Sequence, residues 1–269
     1  MTLDDLIGLV IFGSYGAMLL LERLRPARPY PERRWWRLQG FGFLLLLAVL
    51  ATATPLLLPG DWLARHRLVD GTGLGVAGGV LVGYAAVSLM SYAWHRAAHR
   101  FDFLWRTFHQ LHHAPQRLDM GGAALFHPLE IVVFVSLSTV TTTLVLGLRP
   151  EAAALTGLVA QFYSFFQHLN VKTPHVLGYL IQRPEAHFVH HQRGVHAHNY
   201  GDLPLWDLLF GTFKNPREFG REDVGFDSPA DRRYGAMLAF RDVSDAVGTR
   251  VQSAKPVNAT RTLTRTPGE

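Results

Sequence analysis

The sequence predicts an all-α integral membrane protein, a bundle of four to five apolar helices with a cytoplasmic helical cap. Three observations carry this. Of 269 residues, 48% are hydrophobic and only 17% are charged, against roughly 25% charged in an average soluble chain. The mean hydropathy is positive. The apolar residues also fall into long uncharged runs separated by arginine-rich or polar stretches, the pattern of successive membrane crossings.

The first run, Leu6 to Leu21, ends at Glu22, Arg23 and Arg25. The acidic Asp4-Asp5 start and the lack of a small-residue cleavage site favour a membrane helix over a cleaved signal sequence. Leu24 to Gln39 carries five arginines with the Trp35-Trp36 pair, a composition typical of a cytoplasmic membrane face. Gly40 to Gly60 is the second run, and the polar stretch Asp61 to Asp70 then lies on the opposite side. Gly73 to Ser91, rich in Gly and Ala, is the third, suited to close helix packing. It returns the chain to the arginine-rich side. Ile131 to Leu148 is a fourth run, Arg149-Pro150-Glu151 a tight turn, and Ala152 to Val171 a fifth, more polar candidate. These last two form an antiparallel hairpin, spanning or re-entrant, that restores the chain to the same side. From Lys172 onward the chain reads as cytoplasmic, and beyond about residue 248 its Thr/Arg/Pro/Asn composition predicts disorder. The expected division is 1–91 for the N-terminal transmembrane helices, 92–215 for a central domain that includes the apolar hairpin 131–171, and 216–269 for a cytoplasmic segment.

Histidine is the unusual residue. The chain has 14 histidines and no cysteine, which excludes disulfides, thiolate metal sites and cysteine nucleophiles. His95 and His99 are spaced i, i+4; His109, His112 and His113 are spaced i, i+3, i+4, and His187, His190 and His191 repeat that spacing. On a helix such spacings place imidazoles on neighbouring positions of one face. Neutral imidazole is the commonest protein ligand for intermediate metals. A zinc protease would need a glutamate directly after the first histidine, and His95 is followed by Arg96-Ala97-Ala98. Eight clustered nitrogens exceed the three or four ligands of one tetrahedral zinc and match two metals. Redox iron fits, although ligand type alone leaves zinc, copper and nickel open. The alternative is a histidine-rich metal transporter, or a protein that binds metal without catalysing a reaction. Transporters hold their ligands near the bilayer midplane, whereas here all but His168 lie beyond the apolar runs. The net charge of +5 is arginine beside apolar segments and predicts no nucleic-acid partner.

The full set of motifs resembles the fatty acid hydroxylase superfamily, also called the sterol desaturase family, of membrane di-iron oxygenases. The matching pieces are His95-x-x-x-His99, Leu104-Trp105 followed by His109-x-x-His112-His113, then His127-Pro128-Leu129-Glu130, Gln167-His168-x-Asn170, His187-x-x-His190-His191, Asn199-Tyr200-Gly201 and Leu205-Trp206-Asp207-x-x-Phe210-Gly211-Thr212. The resemblance implies two Fe ions held by His95, His99, His109, His112, His113, His168, His187, His190 and His191. It also implies O2 as co-substrate, a membrane lipid substrate (sterol-like, fatty acyl or carotenoid) that is hydroxylated or desaturated, and an external ferredoxin- or cytochrome b5-type electron donor as redox partner. His127, Asn170, His198 and Asn199 are expected behind the ligands or, for His198, as an extra ligand. Family members often carry an acidic residue before Asn199, where this chain has His196-Ala197-His198. The expected location is a bacterial inner membrane with the metal site facing the cytoplasm.

Overall fold

The computed structural model describes residues 2–195 and 197–244; the region beyond about residue 248 lies outside the described residues. Among the described residues the ordered elements are all helical, joined by turns and one isolated bridge between Gln192 and Val224. Helix α1 (Leu3–Leu24) begins at a capping box, with Thr2 Oγ1 accepting from Asp5 N at 3.2 Å and Thr2 N donating to Asp5 Oδ2 at 2.8 Å. These bonds satisfy donors that the first helical turn would otherwise leave orphaned. Helix α2 (Trp36–Leu57), short α3 (Gly60–Arg65), α4 (Gly75–Arg100), α7 (Pro128–Thr139) and α8 (Pro150–Gln167) complete the apolar bundle. Four segments are long and apolar enough to cross a membrane: Asp5–Leu24, Trp36–Leu57, Gly71–Arg100 and Pro128–Val145. The chain is an integral membrane protein of four such spans, with α8 packed among them.

Packing follows the small residues. Helix α4 lies against α8 and α2 against α7. A side chain at Gly79 or Gly83 would collide with Ala152 or Thr156 on α8, so both glycines are close-approach positions. A bundle core joins Tyr15, Leu44, Leu47, Phe126, Ile131 and Phe165.

The cap is tied to the arginine-rich end of the bundle. It comprises α5 (Asp102–Leu104), which continues through a π-helical segment Trp105–His109 into α6 (Gln110–His113), then α9 (Pro184–His191), α10 (Pro204–Leu209) and α11 (Tyr234–Leu238). Glu22 near the end of α1 accepts from Met120 N at 2.9 Å and from Asn170 N at 3.1 Å. One buried carboxylate thus fastens the turn after the second histidine cluster and the segment after His168 to the same helix. Tyr15 donates its hydroxyl to the Met120 carbonyl at 2.8 Å, and Trp36 Nε1 donates to Asp119 at 2.8 Å.

Candidate metal centre

Nine histidines converge in two groups, each with its ring nitrogens within 4.8 Å of one another: His95, His99, His109, His113 and His190 in one, His112, His168, His187 and His191 in the other. All are buried except His95, which is partly so. Helix geometry explains the division. Residues i and i+4 are rotated by about 40° and stay together, whereas i+3 falls about 60° to the other side. His109/His113 and His187/His191 therefore remain pairs, while His112 and His190 cross to the opposite group. Each His-x-x-His-His box serves both groups.

The hydrogen bonds behind the rings decide which nitrogens face inward. His95 Nδ1 donates to the Tyr200 carbonyl at 2.7 Å, His168 Nδ1 to the Ser164 carbonyl at 2.6 Å and His190 Nδ1 to the His198 carbonyl at 2.7 Å. A carbonyl only accepts, so in the neutral ring each Nε2 keeps a lone pair aimed into the group. These lone pairs meet other imidazole nitrogens: His168 Nε2 is 3.1 Å from His112 Nε2 and 3.2 Å from His187 Nε2, and His190 Nε2 is 3.2 Å from His113 Nε2. The buried His95 Nε2 has no hydrogen-bond partner. Separations near 3 Å are those of neighbouring ligands at right angles around an ion with ~2.1 Å metal–nitrogen bonds. The donor set fits a pair of metal ions.

Electrostatics agree. Burial lowers the pKa of His168 to about 4. Burial, and then the surrounding imidazoles, hold His112, His187 and His191 well below the ordinary histidine range. The rings are neutral near pH 7, the form that binds metal. Aromatic rings close the chamber: Phe126 stacks on His112 at 4.3 Å, and Trp105 lies 5.3 Å from His113.

The other predicted residues stand outside both groups and have their own tasks. His127 caps α7, its Nδ1 accepting from Leu129 N at 3.2 Å. Asn170 clamps the connection after α1, accepting from Arg28 N at 3.0 Å and donating to Arg28 O at 2.8 Å. Asn199 donates to Ala186 O at 2.8 Å and accepts from Lys214 N at 2.7 Å. It holds a left-handed turn at φ 57°. His198 contributes its backbone carbonyl to His190. A residue given no role in the sequence is Glu130, fully buried, whose Oε1 lies 2.6 Å from His109 Nδ1. A lone carboxylate at the edge of an uncharged span was the available signal. The carbonyls of Ser164 and Tyr200 leave no trace in residue identity.

The family profile for fatty acid hydroxylase matches residues 80–212, the stretch that carries every histidine of both groups. Through this region the chain belongs to the fatty acid hydroxylase superfamily. Among its superfamily relatives, an ornithine lipid hydroxylase OlsE from Rhizobium tropici is 31% identical over 60% of this chain and 49% of its own length. An alkylglycerol monooxygenase from Danio rerio is 32% identical over 46% of this chain and 28% of its own. A very-long-chain aldehyde decarbonylase GL1-1 from Oryza sativa subsp. indica is 33% identical over 67% and 30%. The chain spans half or less of the length of these relatives. No solved structure matches it significantly.

Proposed function

We propose that this superfamily member is a membrane-bound di-iron oxidoreductase that uses O2 to hydroxylate or desaturate a C–H bond of a lipid. The observation that carries the reading is the pair of buried, thiolate-free histidine groups closed at one end of an apolar bundle. Relatives named for lipid hydroxylation and alkylglycerol monooxygenation support a lipid substrate. Hydroxylation consumes R–H, O2, two electrons and two protons and releases R–OH and water. Desaturation removes two hydrogens from adjacent carbons and, with the same electrons and protons, releases two waters.

His95, His99, His109, His113 and His190 would hold one iron and His112, His168, His187 and His191 the other. When bound, the iron pair supplies O2 activation and hydrogen-atom removal. The chain supplies position. Carbonyls behind His95, His168 and His190 fix tautomer and ring orientation, which strengthens the inward nitrogen as a donor. Glu130 holds the Nδ1 proton of His109. Phe126 and Trp105 exclude water from the chamber.

Electrons would come from a ferredoxin- or cytochrome b5-type donor docking near the exposed Arg96, Arg100 and Arg106. Arg117, in contrast, is engaged by Asp119. The arginines between Leu24 and Gln39 support a cytoplasmic orientation of the centre in a bacterial inner membrane. Residues 92–215 would carry the chemistry and 1–91 the first spans.

The purified protein should contain two irons per chain. His112→Ala and His190→Ala should each lose iron and turnover while still inserting into membranes; unchanged turnover in either would overturn the reading. Lipid extracts from cells with and without the protein, grown under oxygen, would identify the substrate as the lipid that gains a hydroxyl or a double bond.

A further inference from the structure

The cap carries an apolar surface that the metal centre does not use. Val176, Tyr179, Leu180, Leu205, Leu208 and Leu209 are all exposed, with Val176 and Leu180 at 67% and Leu209 at 64%. These values compare with 74% for Leu81 on the membrane span of α4. The two segments that bear them are neighbours: the 3-10 turn His175–Tyr179 packs against α10, and Tyr179 meets Phe213 at 5.9 Å. Neither exposes a charge. Residues 174–181 contain no Asp, Glu, Lys or Arg. Asp207, the one charged residue of α10, is fully buried and accepts from Tyr200 N at 2.9 Å, Gly201 N at 2.9 Å and Thr212 Oγ1 at 2.6 Å. A contiguous exposed apolar patch of this kind marks an interaction surface.

Depth identifies what covers it. The chain leading into α10 bonds α4 well below its cap end, with Leu203 N donating to Ser88 Oγ at 3.4 Å. Ser88 stands ~20 Å along α4 from Gly75 at ~1.5 Å per residue, inside a hydrocarbon core ~30 Å thick that begins near that end. One turn nearer the cap, the Tyr92 hydroxyl bonds Thr212 Oγ1 at 3.0 Å, and the Tyr92 ring stacks on exposed Phe210 at 5.2 Å. A soluble partner would have to displace lipid to reach this level, whereas acyl chains are already there.

We propose that residues 174–181 and α10 form an interfacial shelf set into the leaflet on the metal side, with the acyl chains of bilayer lipids as its occupant. This modifies the expectation that everything after Lys172 lies clear of the membrane. The shelf also borders the centre: Tyr92 meets Tyr200 at 6.0 Å, and Tyr200 meets His95 at 5.6 Å. The embedding does not depend on the lipid-oxidation reading, because its test measures immersion rather than turnover.

The absence of cysteine makes the test direct. Val176→Cys and Leu208→Cys would be spin-labelled in the full chain and reconstituted in phosphatidylcholine vesicles, with Leu81→Cys as the lipid reference and Arg221→Cys as the aqueous one. Collision with lipid-soluble O2 should exceed collision with a water-soluble nickel chelate several-fold at 176 and 208, as at 81, with the ratio reversed at 221. Retained metal content would show that each variant is folded. Aqueous accessibility at 176 and 208 equal to that at 221 would overturn the shelf. Shielding from both reagents would also overturn it and would indicate a protein partner or a second copy on this face.

Discussion

Glu130 shows how much a single buried group can matter at this centre. It is the only carboxylate hydrogen-bonded to a histidine of either group among the described residues, and it reaches His109 from the first turn of a membrane helix. Groups that orient a ligand imidazole typically account for 10–100-fold in metal affinity. Glu130→Gln should therefore weaken metal binding by about that factor, read as metal retained during a chelator titration, with the helical fold unchanged by circular dichroism. Histidine protonation sets a second expectation. The folded pKa of His168 is depressed to about 4, below the ordinary value near 6.5, so the unfolded chain takes up the proton first. Its contribution to stability is complete above about pH 6.5 and is lost as pH falls towards about 4. His112, His187 and His191 act in the same direction. Thermal melts of the metal-free protein should show Tm falling across that window. Bound metal should leave as well, since protons compete for the same nitrogens.

Among the elements, close approach between backbones is what seats the cap on the bundle. The turn at Gly121 lies directly against the Trp36 indole, and a methyl group on Gly121 would overlap that ring. Overpacking of this kind costs about 1–3 kcal/mol. Gly121→Ala should lower Tm accordingly and disturb the Trp36–Asp119 hydrogen bond, visible as a change in tryptophan fluorescence. Gly83→Val should act in the same way at the α4–α8 contact, where the new side chain would meet Thr156 and Leu148. The spacing of the histidine boxes was readable because helical periodicity turns sequence separation into direction. The π-helical turn through Trp105–His109 was not. Nothing in Trp-Arg-Thr-Phe-His distinguishes that winding from an α-helix, and it depends on where the following helix must point.

For the whole molecule, α7 and α8 form the hairpin that returns His168 to the two boxes, and Glu22 and Asn170 lock that return to α1 and its following segment. Glu22→Ala should leave the four spans inserted but loosen both the Met120 turn and the Asn170 segment. Faster protease cleavage near those segments and a lowered metal content would report it. The sequence by itself determined the helical membrane class, the apolar runs and the eight clustered histidines, because composition and i, i+3, i+4 spacing are local properties of the chain; His168, alone in its run, entered only through the family resemblance. Only the tertiary structure decided how those histidines divide into a group of five and a group of four, that His112 and His190 change sides, and that Glu130 stands behind His109. It also placed His127 as a helix cap and drew the chain leading into α10 alongside Ser88. These depend on which elements meet across the bundle, and distances between residues far apart in the chain are set by packing that no local pattern encodes.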